Sequence, residues 1–352
     1  MKDHTDVMNT DLEIYGTLGP SCADTETLRA MFAAGITGMR LNLSHGTLDE
    51  SSGMIEAFHR AANAEGISPS LLIDMQGPEL RIGSVKKGSV LREGEEVLLC
   101  VRGSAAAETE AIPVPEEIFD HYERGMVLLV DDGKIHLKVT EMTAAEPGRL
   151  MKAEVLTGGP LLSRKSIAVQ GVMVTGNTLT QQDLMNLGRA AGAGVTDVMQ
   201  PFVRGAADLL EVRKAMRERR AGSCRLSAKI ENRAGISALE EIMPLTDMLV
   251  IARGDLGNAV PLWELPRVQK EISGKCLKAG VPFMVVTQML ASMERSPVPT
   301  RAEVSDIFNA VADGAGAVMI TGESASGLYP VEASEYLVRT AKEGLRFRNG
   351  DH

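Results

Sequence analysis

Two stretches decide how this chain is read: "LSAKIENRAG" (226–235) and "DMLVIARGDLG" (247–257). Each is a short, nearly continuous apolar run that ends on charged residues and a glycine. Parallel strands covered on both faces read as unbroken apolar runs, whereas a strand with one wet face alternates. The pattern recurs upstream at "EIYGTLG" (13–19), "GMRLNLS" (38–44), "SLLIDMQ" (70–76) and "VTDVMQPF" (195–202), and downstream at "FMVVTQ" (283–288) and "AVMITG" (317–322). Helical patterns separate them, among them "TETLRAMFAAG", "TQQDLMNLGRAAGAG", "AADLLEVRKAMRERR", "PRVQKEISGKCLKAG" and "VSDIFNAVADGAG". Most close on glycine, which accepts the left-handed backbone of a helix C-terminus. Eight such units predict an α/β fold, a (β/α)8 TIM barrel.

The middle third breaks the rhythm. From about 82 to 168 apolar and polar residues alternate between glycine-containing turns, as in "GSVLREGEEVLLCV", "RGMVLLVDDGKIHLKVTEM" and "MKAEVLTGG". Alternation of that kind predicts a small all-β domain, inserted after the third barrel strand. The expected organisation is barrel from 1 to 81, inserted domain from 82 to 168 and barrel again from 169 to 352. A lobe entering there is expected over the C-terminal mouth of the barrel, where loops following strands open.

Composition narrows the function classes. The 352 residues are 44% hydrophobic and carry a formal charge of −10, with 3% aromatic residues. Phosphate backbones are bound by clustered cations and bases by aromatic platforms, so no nucleic-acid partner is expected. Cys22, Cys100, Cys224 and Cys276 are far apart and form no C-x-x-C pair. Neither a disulfide framework nor a zinc site is suggested, and a reducing cytoplasm fits. The polar, acidic start and the lack of an apolar run of about 18 residues point to no membrane.

On strands, residues two apart leave on one face. Lys229 and Glu231 therefore share a face, and Asp255 follows the next strand at the same rim. Glu231 and Asp255 form a carboxylate pair suited to a hard divalent cation, since Mg2+ takes one or two carboxylates plus substrate oxygens. Lys229 would face the anion held by that metal. A structural salt bridge is the alternative, and location at the catalytic rim of a barrel favours chemistry. The two charges then read as separate tools, with Asp255 rather than Lys229 as the partner of Glu231. In "RLNLSHG", Arg40 suits phosphate, while Asn42 and Ser44 suit a monovalent or hard cation. "IDMQGPELR" supplies Asp74, then Glu79 and Arg81 at the hinge. "GGPLLSRK" places Arg164 and Lys165 where the insertion returns, either a nucleotide clamp or a solvated basic turn. Thr287 puts a hydroxyl at the rim of the seventh strand, and Thr300 with Glu303 has the form of a capping box.

Taken in order, "GTLGPS", "RLNLSHGT", "GPELR", "SRK", "KIEN", "ARGDLG", "TQMLASM", "PTRAEVSD" and "TGESASGLYPVEA" resemble the motifs of the pyruvate kinase family from about 13 to 335. That resemblance implies phosphoryl transfer between phosphoenolpyruvate and ADP, giving pyruvate and ATP. It implies Mg2+ (or Mn2+) on Glu231 and Asp255, with Lys229 and Arg40 toward the phosphoryl group. Substrate carboxylate would meet the backbone of Ala252, Arg253 and Gly254, and Thr287 would help protonate the enolate through water. Asn42, Ser44, Asp74 and the Met75 carbonyl resemble a K+ site, and Glu79 occupies the position whose acidic form accompanies K+ dependence. Arg40, Arg81, His45 and Lys165 would lie on the nucleotide side.

The chain also departs from that pattern. Met75 and Gln76 stand where the family motif Asp-Thr-Lys-Gly-Pro-Glu has Thr and Lys, and Pro201 replaces a Ser. The further C-terminal domain of typical members, which holds effector sites, is absent from the 352 residues. An unregulated enzyme forming a homodimer through its barrel is therefore expected. Met75, Gln76 and Pro201 also motivate a diverged paralogue with another phosphoryl acceptor, or with enolisation, aldol or decarboxylation chemistry on a 2-oxo acid. A non-catalytic relative is the third reading.

Overall fold

The computed structural model describes residues 12–351 except 45, 79, 105–110, 132, 146–147 and 171–175. The described chain divides into two compact units, one up to Gly77 and from Thr178 onward, the other Pro78–Asn177.

In the first unit eight parallel strands close into a barrel. They are β1 Glu13–Thr17, β2 Gly38–Asn42, β3 Ser70–Asp74, β4 Asp197–Gln200, β5 Arg225–Ile230, β6 Met248–Ala252, β7 Phe283–Val286 and β8 Ala317–Met319. All eight apolar runs became barrel strands, as expected of sequences that must tolerate burial on both faces. The pleat sends alternate residues to two cores. Inside, Tyr15, Leu72, Met199, Met248, Val250, Ala252, Met284, Val286, Ala317 and Met319 fill the barrel. The thioethers are unbranched and adapt to its irregular interior. Outside, Ile14, Leu41, Ile73, Leu226, Ile230 and Ile251 meet the helices. Gly38 is needed at the barrel floor, because a Cβ there would lie 2.4 Å from the Tyr15 ring.

Helices Thr25–Ala34 and Leu265–Ala279 each end on a left-handed glycine, Gly35 and Gly280. Helix Gln181–Ala190 starts with a capping box made by Thr180 and Asp183. Helix Arg301–Ala312 starts with the box expected from Thr300 and Glu303. The Glu303 carboxylate also accepts from the Ser292 amide and hydroxyl at 2.7 and 2.6 Å, tying the loop after β7 to this helix.

The second unit is β-rich, as its alternation predicts. Ile167–Val169, Val127–Val130, Ile135–Ala145, Gly148–Thr157, Glu96–Val101 and Ile112–Val114 form a six-stranded sheet in that order, and Val90–Leu91 pairs with Gly159–Pro160. Its own core includes Leu99, Leu128, Leu137, Val139 and Met151.

Candidate active site

Strand register brings the site residues together. Asn42 lies opposite Asp74 across β2 and β3, and Lys229 opposite Val250 across β5 and β6. Arg40, Asp74 and Lys229 alternate with residues of the outer core and so point inward at the C-terminal rim.

Asp74 is the centre of the cluster. Its Oδ2 accepts from Arg40 Nη2 at 2.7 Å, Arg40 Nε at 2.9 Å and Lys229 Nζ at 3.2 Å. Its buried Oδ1 has no protein partner. Burial opposes the carboxylate charge, but Lys229 and Arg40 outweigh it and hold the group below the usual carboxylate range. Burial likewise opposes the charge on Lys229. Asp74, Glu231 and Asp255 outweigh it, against the repulsion of Arg40, and keep the ammonium protonated well above its ordinary value.

Lys229 Nζ also lies 2.9 Å from Glu231 Oε1. The expectation that Asp255 rather than Lys229 is the partner of Glu231 is thereby corrected. Two side chains leaving one strand in the same direction, both buried, neutralise each other more cheaply than either could alone. Glu231 Oε2 accepts from the Phe202 amide at 2.7 Å, so both its oxygens are engaged. Asp255 enters the first turn of helix Arg253–Ala259, where a negative charge suits the helix dipole.

Other rim residues support the backbone. The Asn42 Oδ1 accepts from the Ser44 amide at 3.0 Å. Met75 is buried and donates its amide to Met199 O at 3.0 Å. Gln76, which stands where a cation was expected, is a strut: its Nε2 donates to Leu43 O at 3.1 Å. Buried Asp183 accepts from the Gln76 amide at 2.8 Å and the Gly77 amide at 3.1 Å. Gly77 has φ 58°, and a Cβ there would lie 2.6 Å from Pro201 Cγ. Pro201 therefore seats against a glycine that must stay a glycine. Asp183 was not singled out from the sequence, although its place in a capping box could have found it.

Arg81 and Lys165 belong to the second unit. There Arg81 Nη1 donates to Arg164 O at 2.9 Å, and Lys165 Nζ lies 2.8 Å from Asp131 Oδ1. His45 and Glu79 lie outside the described residues.

The rim of the (β/α)8 barrel thus brings together two cations, Arg40 and Lys229, and three carboxylates, Asp74, Glu231 and Asp255. Comparison with known proteins then decides the family. A family model described as pyruvate kinase, barrel domain, matches residues 9–334. The chain belongs to the pyruvate kinase family. It is 36% identical over 329 residues to a pyruvate kinase of Bacillus licheniformis, covering 91% of this chain and 55% of that protein. It is 38% identical over 333 residues to one of Agrobacterium vitis, covering 94% and 67%. A third, from Geobacillus stearothermophilus, is 36% identical over 334 residues, covering 93% and 55%. The chain thus spans about half the length of most of these pyruvate kinases.

The donor sets suit the ions that the family implies. Among the described residues no three His, Cys, Asp or Glu side chains form a group able to hold a metal by themselves. Two carboxylates, Glu231 and Asp255, are what Mg2+ needs when substrate oxygens complete its shell. The orphaned Asp74 Oδ1, beside Asn42 in register, suits a monovalent cation, because a buried oxygen without a donor is otherwise costly.

Proposed function

We propose that the protein transfers the phosphoryl group of phosphoenolpyruvate to ADP, giving pyruvate and ATP. The observation that carries this reading is Lys229, held between Asp74 and Glu231 with Arg40 on the same carboxylate. These two cations supply fixed positive charge where the phosphoryl group leaves the enol oxygen and meets the terminal phosphate oxygen of ADP. Phosphoryl transfer depends mainly on such positioning and electrostatics. The backbone of Ala252, Arg253 and Gly254 receives the substrate carboxylate. Cleavage leaves the enolate of pyruvate, which takes a proton at its methylene carbon, delivered with the help of Thr287 through water.

Glu231 and Asp255 would hold Mg2+ or Mn2+, which supplies Lewis acidity toward phosphoryl oxygens. Asn42, Ser44, Asp74 and the Met75 carbonyl would hold K+, which supplies charge balance beside the phosphate. His45, Arg81 and Lys165 are assigned to the nucleotide. A homodimer made through the barrel and a cytoplasmic location complete the proposal. Four unpaired cysteines support a reducing compartment, and no described helix is long and apolar enough to cross a membrane.

Purified protein with Mg2+ and K+ should release pyruvate from phosphoenolpyruvate only when ADP is added. Failure with every nucleoside diphosphate overturns the proposal. Gln76, spent on Leu43 O rather than offering a cation, favours a second reading, a 2-oxo acid enzyme of other chemistry. Solvent exchange of the pyruvate methyl protons in a sample that transfers no phosphate is its signature.

A further inference from the structure

Thr287 follows β7 in a backbone conformation its residue type disfavours, with φ 79°, and Gln288 continues at φ 56°. Left-handed backbone is an outlier for a β-branched residue and persists only where the surroundings over-determine it. Two sets of contacts do so. Arg253 closes a fork on the Thr287 carbonyl, Nη2 at 2.8 Å and Nε at 3.2 Å. The remaining nitrogen, Nη1, lies 2.8 Å from Asp306 Oδ1 and 2.7 Å from Oδ2. Nη2 also reaches Met289 Sδ at 2.9 Å, two residues past the strained position. From the other direction Gly254 abuts the side chain: a Cβ built there would lie 3.1 Å from Thr287 Cγ2 and 3.7 Å from its Oγ1. The turn after β6 is thus keyed to the turn after β7.

We infer that Asp306, acting through Arg253, is a positioning residue for Thr287. Asp306 sits on helix Arg301–Ala312 and sets the direction of the guanidinium. Arg253 in turn fixes the Thr287 carbonyl, and with it the place of the hydroxyl beside Gly254. The Arg253 side chain, 11% exposed, is a brace, and its backbone alone is left for substrate. Lysine at 253 could not reproduce this, because one ammonium cannot hold a carbonyl in a fork and a carboxylate at the same time.

The inference rests on the reading of Thr287 as the residue that helps protonate the enolate. Asp306→Asn keeps the shape and removes the charge, and Arg253→Lys keeps the charge and removes the fork. Both are expected to lower kcat for pyruvate formation between about tenfold and a hundredfold, the loss that small misplacements of reacting groups produce. KM for phosphoenolpyruvate and ADP should change less than about threefold, since binding is not what is lost. Exchange of pyruvate methyl protons should fall by the same factor as kcat. Wild-type rates in both variants, raised KM at constant kcat, or unaltered proton exchange would each overturn the inference, as would activity falling only in step with the thermal unfolding midpoint.

A readout without turnover separates this inference from the proposed function. In protein carrying 13C-methyl threonine, the Thr287 signal is assigned by its loss in Thr287→Val. Asp306→Asn should move that signal more than any other threonine methyl. A stationary Thr287 signal overturns the positioning role even if the wild type is active. A moved signal upholds it even if the wild type makes no pyruvate, in which case only the assigned reaction is wrong.

Discussion

The two ends of the barrel both bury charge, and they do so in opposite ways. At the N-terminal ends of β1, β4 and β5, Arg225 bridges two carboxylates. Its Nε lies 2.6 Å from Asp197 Oδ1, and Nη1 and Nη2 lie 2.7 and 2.8 Å from the two oxygens of Glu13. Nη2 also reaches the Tyr15 hydroxyl at 3.0 Å, which donates to Glu13 at 2.5 Å, while Thr196 donates to Asp197 Oδ2 at 2.6 Å. Every carboxylate oxygen there has a donor. At the C-terminal rim Asp74 has three donors on one oxygen and none on the other. A network that is complete within the chain serves stability, and one that is left incomplete has capacity for something the chain does not contain.

Substitutions at the two ends test that contrast. The largest effect is expected at the rim. Lys229→Met should lower pyruvate formation by about a thousandfold or more, beyond the loss of a single oxyanion donor. It should spare Mn2+ binding measured by electron paramagnetic resonance, whereas Asp255→Ala should lose both activity and metal; similar mild effects from the two refute the assignment. At the other end Arg225→Met should leave kcat per folded molecule within about twofold of wild type and lower stability by about 1–3 kcal/mol. Most of that loss comes from stranding buried Asp197, since the exposed part of Arg225 is screened by solvent. A large fall in kcat without a fall in stability would erase the distinction between the ends.

The smallest effect is one of pH. Burial would raise the pKa of Glu13, but hydrogen bonds from Arg225 and Tyr15 outweigh it and hold it below its ordinary 4.5. Its contribution is therefore fully present above pH 4.5 and is lost as pH falls through the lower folded value. Asp197 has the opposite sign: burial raises it above 3.8 in spite of Thr196 and Arg225, so its contribution is present below 3.8 and lost as pH climbs through its folded value. Glu13→Gln should flatten the acid side of the stability curve, followed by denaturant unfolding from pH 5 downward. An unchanged acid slope would show that the network contributes nothing there.

The barrel was legible because parallel strands under helices must be apolar throughout, and eight such runs leave few other architectures. The inserted sheet was legible for the complementary reason: its strands face solvent on one side and alternate. Asp74, Lys229, Glu231 and Asp255 were legible as rim charges because they stand at or just past the ends of apolar runs, and Arg40 because it shares a strand face with Asn42 and Ser44. Their pairing was not. Asp74 and Lys229 are 155 residues apart, and only the barrel's closure brings them to 3.2 Å. Gln76 read as the loss of a cation, and its actual work, joining Leu43 O near the amides held by Asp183, depends on a helix that begins 105 residues later.

The sequence alone determined where the eight apolar runs lie, that charged residues stand at the C-terminal ends of several of them, and the chemical class of those charges, since strand periodicity and residue type are local properties. The tertiary structure alone decided that Lys229 neutralises both Asp74 and Glu231, that one oxygen of Asp74 is left over, and that Thr287 is held in a strained turn by Arg253 and Asp306. Charge pairing and backbone strain depend on distances between segments remote in the chain, and those distances do not exist until the barrel has closed.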